Sequence, residues 1–415
     1  MAATGEAARS SPHRPPGRGP RLVAAARLAA PAMVVYLALR VISLDVLVLL
    51  TSLGRRSEPG RMVYWDGSTN AWRGYQSIND VLLSWDGRWY SKIAEFGYTS
   101  HTAGVDEHGI PYTHRLAFFP LYPYLARSLT WLPGLNAAGA CLLVSFLASI
   151  AAAWAIFAIG NHLRGRRFGI ILAALWAVVP VCMSQNGAFT ESLFTAFAGW
   201  ALYAVLTRRW IVAGAITAVA GLTRPTALAL IATVGFAALV AIVLRRDGWR
   251  PWLAGALAPL GYVSYVVFAG YRLGTPTGFF ELQRYTWDSY FDFGQSSFDA
   301  LRTIVLGQEP LEDSIFMFTG LVVFGAAALI ALAAMHRTPW VLIMFAVVMF
   351  VGSLGSHAHI SSMGRHLLPA FPILIVPALA LSRASIRVVA VVLGLLAVLS
   401  GWYGGWLPFA SGHVI

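Results

Sequence analysis

The segment LLSWDGRWYSKIAEFGY, Leu82 to Tyr98, contains the first group that could carry out chemistry. Its spacing places Trp85 and Trp89 on one apolar face, with charged side chains opposite, which is typical of an amphipathic helix at a boundary. Asp86 lies between a tryptophan and a glycine and fits neither face. Such a carboxylate could act as a general base. It could equally be a first-turn acid favoured by the helix dipole, with Ser84 as the N-cap.

Composition identifies the broad class of protein that carries this carboxylate. The 415 residues are 58% hydrophobic and only 12% charged, and the mean hydropathy is +0.66, which is too apolar for a soluble globular protein. Each of several apolar runs reaches the roughly 20 residues that a membrane-spanning helix needs. Helices are the default in lipid because the backbone must satisfy its own hydrogen bonds. We therefore expect an all-α polytopic membrane protein.

Apart from a first span at about 31–53, the predicted apolar runs are 138–160, 168–184, 188–206, 211–223, 226–244, 252–271, 315–335, 340–356, 367–381 and 388–409. The total is roughly nine to twelve transmembrane helices by the 20-residue rule. The run 118–133 is the uncertain one. It cannot be a full span if the arginines at 164–167 are cytoplasmic, so a re-entrant or interfacial segment is favoured over an extracytoplasmic position of that cluster.

The positive charge indicates topology rather than a nucleic-acid partner. The formal net charge is +12, but the basic residues form small clusters between apolar runs, which is typical of cytoplasmic loops. Residues 1–27 are rich in Pro, Gly and Arg and are predicted to be a disordered cytoplasmic tail, followed by one membrane domain, 28–415. A large extracytoplasmic loop, 54–117, then carries Asp86. The predicted location is the cell membrane, with no nucleic-acid partner.

Polar groups in such a chain are costly near lipid, so they tend to face a cavity or a partner. Those predicted on the extracytoplasmic side form a small set: Asp66, Asp86, Arg115, Glu191, Arg224, His357, His359, Arg365 and His366. Acids and bases therefore converge on one side of the membrane, as a reaction on a lipid-linked anionic substrate requires.

Several of these residues have simpler interpretations. Glu191 could be a first-turn acid of the next helix, with Thr190 or Asn186 as its cap. Arg224 interrupts two apolar runs and could snorkel to the interface. A metal site at His357 and His359 is disfavoured, because their i, i+2 spacing is poor for a helix and no carboxylates cluster with them. Cys141 and Cys182 are predicted to be packed core thiols.

These stretches also resemble a known family. WDGRWYSKIAEFGY followed by AFFPLYP is similar to the hallmark of the PIG-V mannosyltransferases, and FTESLF at 189–194, GLTRPTAL at 221–228 and RHLLPAFP at 365–372 continue the match in order. The resemblance implies a GT-C glycosyltransferase that moves a sugar, usually mannose, from a polyprenyl-phosphate carrier to a glycolipid or glycan acceptor outside the cytoplasm. It also implies that Asp86 is the base. The composition looks bacterial, which implies an envelope acceptor.

Residue chemistry is compatible with that reaction. Transfer from a sugar phosphate needs a base for the acceptor hydroxyl and cations for the departing phosphate. Asp86 is the predicted base, with Glu191 or Asp66 as a helper, and a single base opposite the leaving group gives inversion. Arg224 and Arg365 are the predicted phosphate ligands, because a guanidinium binds phosphate oxygens in a bidentate manner.

Further substrate contacts are predicted from His366 or His359, Arg115, Trp85, Trp89 and Tyr90. The expected partners are the lipid-linked sugar donor, the acceptor and membrane lipids, and no resident cofactor or metal is predicted. The alternative is a transporter or flippase for a lipid-linked saccharide, in which broken helices such as the one at Thr223–Pro225 are common. That class does not need a long aromatic loop bearing an acid. A non-catalytic scaffold is a third possibility.

Overall fold

A computed structural model describes residues 18–57, 63–66, 69, 71–74, 77–98, 104–106, 109–306, 314–357 and 362–406. In these ranges the chain is helical apart from one hairpin of strands β1 (Val63–Asp66) and β2 (Ala71–Gly74). The helices are α1 Arg18–Ser57, α2 Ile78–Leu82, α3 Asp86–Phe96, α4 Leu121–Leu129, α5 Ala137–Arg164, α6 Arg166–Ala177, α7 Cys182–Asn186, α8 Glu191–Leu206, α9 Trp210–Ala220, α10 Ala227–Val243, α11 Arg250–Leu257, α12 Leu260–Leu273, α13 Gly278–Trp287, α14 Gln295–Val305, α15 Ser314–Met335, α16 Trp340–Leu354, α17 Met363–His366, α18 Ile375–Arg383 and α19 Ile386–Trp406. Two 3-10 helices cover Tyr112–Ala117 and Phe371–Leu374.

Within the described ranges, five helical segments are long and apolar enough to cross a membrane: Val23–Gly54, Ala137–Arg164, Arg250–Leu273, Phe318–Met335 and Ile386–Gly405. Five shorter apolar helices are Glu191–Leu206, Trp210–Ala220, Ala227–Val243, Trp340–Leu354 and Phe371–Arg383. The predicted all-α class is confirmed. The exact number of spans stays a prediction, because the shorter helices fall below the length that the 20-residue rule requires.

The first helix is longer than the sequence predicted. It begins at Arg18, inside the tail 1–27 that was expected to be disordered, and residues 1–17 lie outside the described part of the chain. Pro31 lies within it. Apolar side chains such as Val34 and Leu49 are exposed along α1, as expected where lipid replaces water.

The helices pack closely because small residues line their contacts. α5 lies against both α6 and α8, and α1 lies against α19. A methyl group added at Gly160 of α5 would come within 2.7 Å of Gly169 Cα on α6, so only glycine permits this approach. The ring of Tyr36 on α1 stacks on Trp176 of α6, with the centroids 5.8 Å apart. The resulting core is a continuous apolar cluster that joins α1, α5, α6, α8, α10, α16 and α18.

The run 118–133 is not a span. The 3-10 helix Tyr112–Ala117 leads into the nine-residue helix α4, and the Leu121 amide donates to Leu222 O at 3.0 Å, which ties α4 to the turn after α9. A helix of this length cannot cross a hydrocarbon core of about 30 Å. The favoured interpretation as a re-entrant or interfacial segment agrees with this length.

The segment 272–314, between the predicted apolar runs 252–271 and 315–335, also contains structure that the apolar pattern did not show. Helices α13 and α14 occupy it, and the backbone after α13 pairs with the end of α16, where the His357 amide donates to Tyr290 O at 2.9 Å. The run 252–271 is divided at Pro259, which lacks the amide hydrogen a continuous helix would use, so α11 ends at Leu257 and α12 begins at Leu260.

Candidate active site

A cavity of about 640 Å³ lies where α3, α8, α10, α13, α16 and α17 meet. Its walls comprise Trp85, Asp86, Tyr90, Ala117, Phe118, Phe119, Thr190, Arg224, Pro225, Thr226, Gln283, Trp287, Ser289, Gly352, Ser353, Ser356, Ser362, Arg365 and His366. A volume of several hundred Å³ is that of a small-molecule site. The cavity gathers residues from distant parts of the chain, and Asp86, Arg224, Arg365, His366, Trp85 and Tyr90 are among those that the sequence predicted.

Asp86 is placed by a turn that local sequence does not explain. It is the first residue of α3, and the N-cap is Trp85, whose backbone has φ 56° and ψ −122°. Ser84 does not cap the helix, since its hydroxyl donates to Val81 O at 2.8 Å, so the predicted Ser84 cap is wrong. The Ala188 amide donates to Leu82 O at 2.8 Å and thereby fixes the α2–α3 turn against the segment that precedes α8. Asp86 and Glu191 are brought together by this contact.

Four charged side chains form one connected group. Glu191 Oε1 accepts a hydrogen bond from Arg365 Nε and lies 2.9 Å from Arg224 Nη1, and Arg365 Nη2 donates to Asp86 Oδ2. The formal charges of these four side chains cancel. The exposed fractions of the two acids differ, because the Asp86 side chain is 28% exposed and that of Glu191 is 0% exposed.

Glu191 does not reach the cavity. It is the first residue of α8, its N-cap Thr190 makes no side-chain capping bond, and its carboxylate faces the two arginines, so the predicted side-chain cap by Thr190 is wrong. Within the described structure, no atom of Glu191 contributes to the cavity walls. Its position is that of a buried counter-ion, which differs from the predicted role as a helper base.

The two arginines have different surroundings. Arg365 is 6% exposed, lies with its guanidinium 4.5 Å from the centre of the Phe189 ring, and bonds both acids. Arg224 is equally buried, in the turn between α9 and α10, and its Nε has no hydrogen-bond partner although the residue lines the cavity. Because a buried donor without a partner is costly, Arg224 is the group that an entering anion would satisfy.

The aromatic residues of α3 separate into two kinds. Tyr90 is buried and lines the cavity. Its burial, and to a smaller extent the charge of nearby Asp86, raises the pKa of its phenol well above the usual range. Tyr90 therefore acts as a neutral hydrogen-bonding group. Trp89 does not reach the cavity, contrary to the prediction. Its ring is stacked on Phe118 at 5.6 Å and supports the wall from behind.

Arg115 is another predicted substrate contact that the structure places elsewhere. Its Nη1 donates to Gly97 O at 3.3 Å, and its guanidinium lies 5.7 Å from the Phe96 ring centre and 5.9 Å from that of Tyr112. A cation beside the last carbonyl groups of a helix is favoured by the helix dipole. Arg115 therefore stabilises the end of α3 instead of binding an anion in the cavity.

Another predicted candidate, His357, does not line the cavity. His357 contacts Asp288 Oδ2 and Asp292 Oδ2, each at 3.3 Å, and stacks on Tyr290. His359 and the side chain of Asp66 lie outside the described residues. Among the side chains that are described, no group of three or more His, Cys, Asp or Glu residues is arranged to hold a metal ion. Cys141 is a free, buried thiol, and the side chain of Cys182 is not described.

Sequence reasoning missed the wall formed by Gln283, Trp287, Ser289, Ser353 and Ser356. These residues are uncharged, so a search for costly ionisable groups passes over them. A local signal is the tryptophan of RYTWDSYFDFG, between the predicted apolar runs 252–271 and 315–335, but interfacial tryptophans are common in membrane proteins.

Comparison with solved structures identifies the fold. ArnT from Cupriavidus metallidurans bound to undecaprenyl phosphate matches with a TM-score of 0.51 and 17% identity over 89% of this chain and 62% of that one. The apo state of the same protein matches with a TM-score of 0.50 and 16% identity, covering 96% and 78% of the two chains. The oligosaccharyltransferase of Archaeoglobus fulgidus, in a complex with Zn and sulfate, gives 0.48 and 14%, covering 91% and 53%.

The chain thus has the fold of the GT-C membrane glycosyltransferases and is a multi-pass membrane protein. It spans only 62% of the length of the lipid-bound ArnT chain. No protein-family model matches the sequence, and no curated protein matches it either. The resemblance to the PIG-V mannosyltransferases therefore stays a prediction.

Proposed function

We propose that this protein is an inverting glycosyltransferase that moves a sugar from polyprenyl phosphate to a glycolipid or envelope-glycan acceptor at the extracytoplasmic face of the cell membrane. One observation carries the proposal: a single cavity holds a partly exposed carboxylate, Asp86, together with a buried arginine, Arg224, that has an unsatisfied donor. Mannose is the first sugar to test, because WDGRWYSKIAEFGY and AFFPLYP resemble the PIG-V mannosyltransferases.

The base in this proposal is Asp86. Of the two acids in the charged group, only Asp86 is exposed to the cavity, so only it can meet an acceptor hydroxyl. Its carboxylate accepts the hydroxyl proton as the acceptor oxygen forms a bond to the anomeric carbon. The bond from that carbon to the phosphate oxygen breaks at the same time, and its electron pair leaves with the phosphate. Attack from the face opposite the leaving group inverts the anomeric centre.

The two arginines have different roles in this proposal. In an inverting displacement the base and the leaving group lie on opposite faces of the sugar, so a guanidinium that bonds the base is poorly placed to hold the phosphate as well. Arg365 bonds Asp86 and is therefore assigned to positioning the base. Arg224 does not contact Asp86, and its unpartnered Nε makes it the phosphate ligand, with the Thr226 hydroxyl beside it in the same turn.

The proposed carrier follows from the fold and the charge. ArnT has been crystallised with undecaprenyl phosphate bound, and this chain shares that fold. A carrier of this kind consists of an anionic phosphate attached to a long apolar chain. The cavity matches the phosphate with a buried arginine and matches the apolar chain with the apolar helices around it. The match supports a polyprenyl-phosphate donor, and the acceptor is proposed on the family resemblance alone.

The experiment uses the full chain reconstituted in lipid with labelled polyprenyl-phosphate sugars, mannose first. Asp86→Asn should lower transfer at least about 100-fold, the lower range for loss of a general base. Glu95→Gln, an exposed acid on the same helix, is the matched control and should transfer like wild type. Unchanged transfer by Asp86→Asn would remove Asp86 as the base. Absence of transfer by the wild-type chain from every such donor would favour a transporter, a flippase or a scaffold.

A further inference from the structure

The cavity has a second wall that carries no charge. Gln283, Trp287 and Ser289 come from α13 and the residue pair that follows it. Ser353 comes from the last turn of α16, and Ser356 from the two residues that follow that helix. These amide, indole and hydroxyl groups line the same cavity as the acid and the arginines. The phosphate chemistry proposed above uses only the charged wall, so the neutral wall has no role in it.

Trp287 is held rigidly in this wall. Its ring meets the rings of Trp89, His114 and Phe118 at interplanar angles of 67°, 65° and 85°, with centroids 5.8, 5.6 and 5.4 Å away. Edge-to-face contacts of this kind are favourable and fix the orientation of a ring. The indole is only half-buried and lines the cavity, so the molecule maintains a flat apolar surface there.

The polar groups of the neutral wall are also fixed, and one of them is unsatisfied. The Gln283 amide donates through Nε2 to Ala117 O at 2.8 Å, which sets its orientation. Ser353 is 4% exposed, lines the cavity, and its Oγ has no hydrogen-bond partner. A buried hydroxyl without a partner is unusual in folded proteins, and it is explained if a ligand supplies the partner.

The two segments of this wall are tied to each other. The Asp292 amide donates to Gly355 O at 2.9 Å, the His357 amide donates to Tyr290 O at 2.9 Å, and the His357 ring lies 3.3 Å from Asp288 and from Asp292. Backbone and side-chain contacts thus join the α13–α14 connection to the segment after α16, so the protein's own contacts hold this wall together. Preorganisation of this kind lowers the entropic cost of binding.

We propose that the neutral wall is a carbohydrate subsite, in which a sugar ring lies on Trp287 and hydrogen-bonds to Ser353 and Gln283. A sugar ring presents C–H groups on its face and hydroxyl groups at its edge, which match an indole bordered by uncharged hydrogen-bonding groups. This inference rests on the proposed function for the identity of the substrate. The ring belongs either to the donor or to the acceptor, and the experiment separates the two.

The experiment measures binding and transfer by Trp287→Ala and Ser353→Ala in the full chain reconstituted in nanodiscs. The binding probes are polyprenyl phosphate and the same lipid carrying the sugar. The matched controls are Trp131→Ala, at a tryptophan that is 76% exposed, and Ser128→Ala, at an exposed serine of α4. Neither control residue lines the cavity.

If the ring is that of the donor, each variant should bind the sugar-bearing lipid at least about threefold more weakly, the effect of losing one hydrogen bond or one stacking contact, and should bind polyprenyl phosphate like wild type. If it is that of the acceptor, both lipids should bind normally and the acceptor KM should rise by a similar factor. Trp287→Phe, which keeps a flat ring, should recover part of either effect.

Two results would overturn the subsite. One is normal binding and normal acceptor KM in both variants. The other is equal weakening of both lipids, which would indicate a general structural defect instead of sugar recognition. Ser353→Ala removes a single atom and answers the question even where Trp287→Ala fails to fold. If the wild-type chain transfers no sugar but the variants still lose the preference for the sugar-bearing lipid, the subsite is supported and the proposed function is rejected. The two proposals can therefore fail separately.

Discussion

Replacing Glu191 with glutamine separates a buried counter-ion from a reacting group. The Glu191 side chain is 0% exposed, and its Oε1 contacts both Arg365 and Arg224, the latter at 2.9 Å. Glutamine keeps the size of the side chain but removes the charge, which leaves two guanidiniums facing one carboxylate. Removing one partner of a buried ion pair costs about 3–5 kcal/mol. We expect Glu191→Gln to lower the free energy of unfolding by at least about 3 kcal/mol by that reasoning.

The kinetic effect should fall mainly on donor binding. Without its anchor, the Arg224 guanidinium is no longer fixed, so the donor KM should rise about tenfold or more, equivalent to about 1.4 kcal/mol. The base is still present, since Glu191→Gln leaves Asp86 in place. We therefore expect kcat to fall less than it does in Asp86→Asn.

The assay combines thermal unfolding in detergent with steady-state transfer in liposomes over a range of donor concentrations and pH. Glu191→Asp is the matched variant, because it keeps the charge and shortens the side chain by one methylene, and it should recover part of the lost stability. The reasoning would be refuted by a Glu191→Gln variant that unfolds like wild type, keeps its donor KM and loses only kcat. That result would mean that Glu191 contacts the reacting atoms.

Three further predictions concern phosphate binding, packing and pH. Arg224→Lys should raise the donor KM about tenfold, measured in the same transfer assay, because an ammonium group cannot bind phosphate oxygens in the planar bidentate manner. Gly160→Ala should destabilise the protein by about 1–3 kcal/mol in thermal unfolding, since its Cβ would lie 2.7 Å from Gly169 Cα. Hydrogen bonds from Ser296 hold the pKa of Asp292 well below its usual range, so this carboxylate stabilises the fold at neutral pH. That contribution should be lost as the pH falls below about 4, and Asp292→Asn should lack that part of the acid dependence in unfolding measurements.

The sequence predicted those parts of the site that depend on local patterns. The period of LLSWDGRWYSKIAEFGY predicted a helix carrying Asp86, and α3 is that helix. The predicted N-cap, Ser84, was wrong: Trp85 is the cap, with a positive φ, and the contact between Ala188 and Leu82 holds the turn that precedes it. A contact between segments so far apart in sequence leaves no trace in the local pattern.

The sequence also did not show which charged residues pair with each other. Arg115, Arg224 and Arg365 are alike as sequence, yet Arg115 binds the end of α3 and only the other two join the charged group. Burial distinguishes Asp86 from Glu191 in the same way, and burial is a property of the packed chain. Charge and hydropathy can thus select candidates, whereas their separate roles depend on which neighbours the fold supplies.

The charged group has a consequence for product release if the protein works as proposed. This group consists of Asp86, Glu191, Arg224 and Arg365. The two acids and two bases cancel, so this charged group, which borders the cavity, has no excess positive charge. A pocket with such an excess would retain the polyprenyl phosphate left after transfer, which carries more negative charge than the sugar-bearing donor. Here Glu191 offsets the charge of Arg224 while it holds that arginine in position, so the used carrier is not retained by uncompensated positive charge. Turnover would then depend on the used carrier leaving quickly for the surrounding lipid.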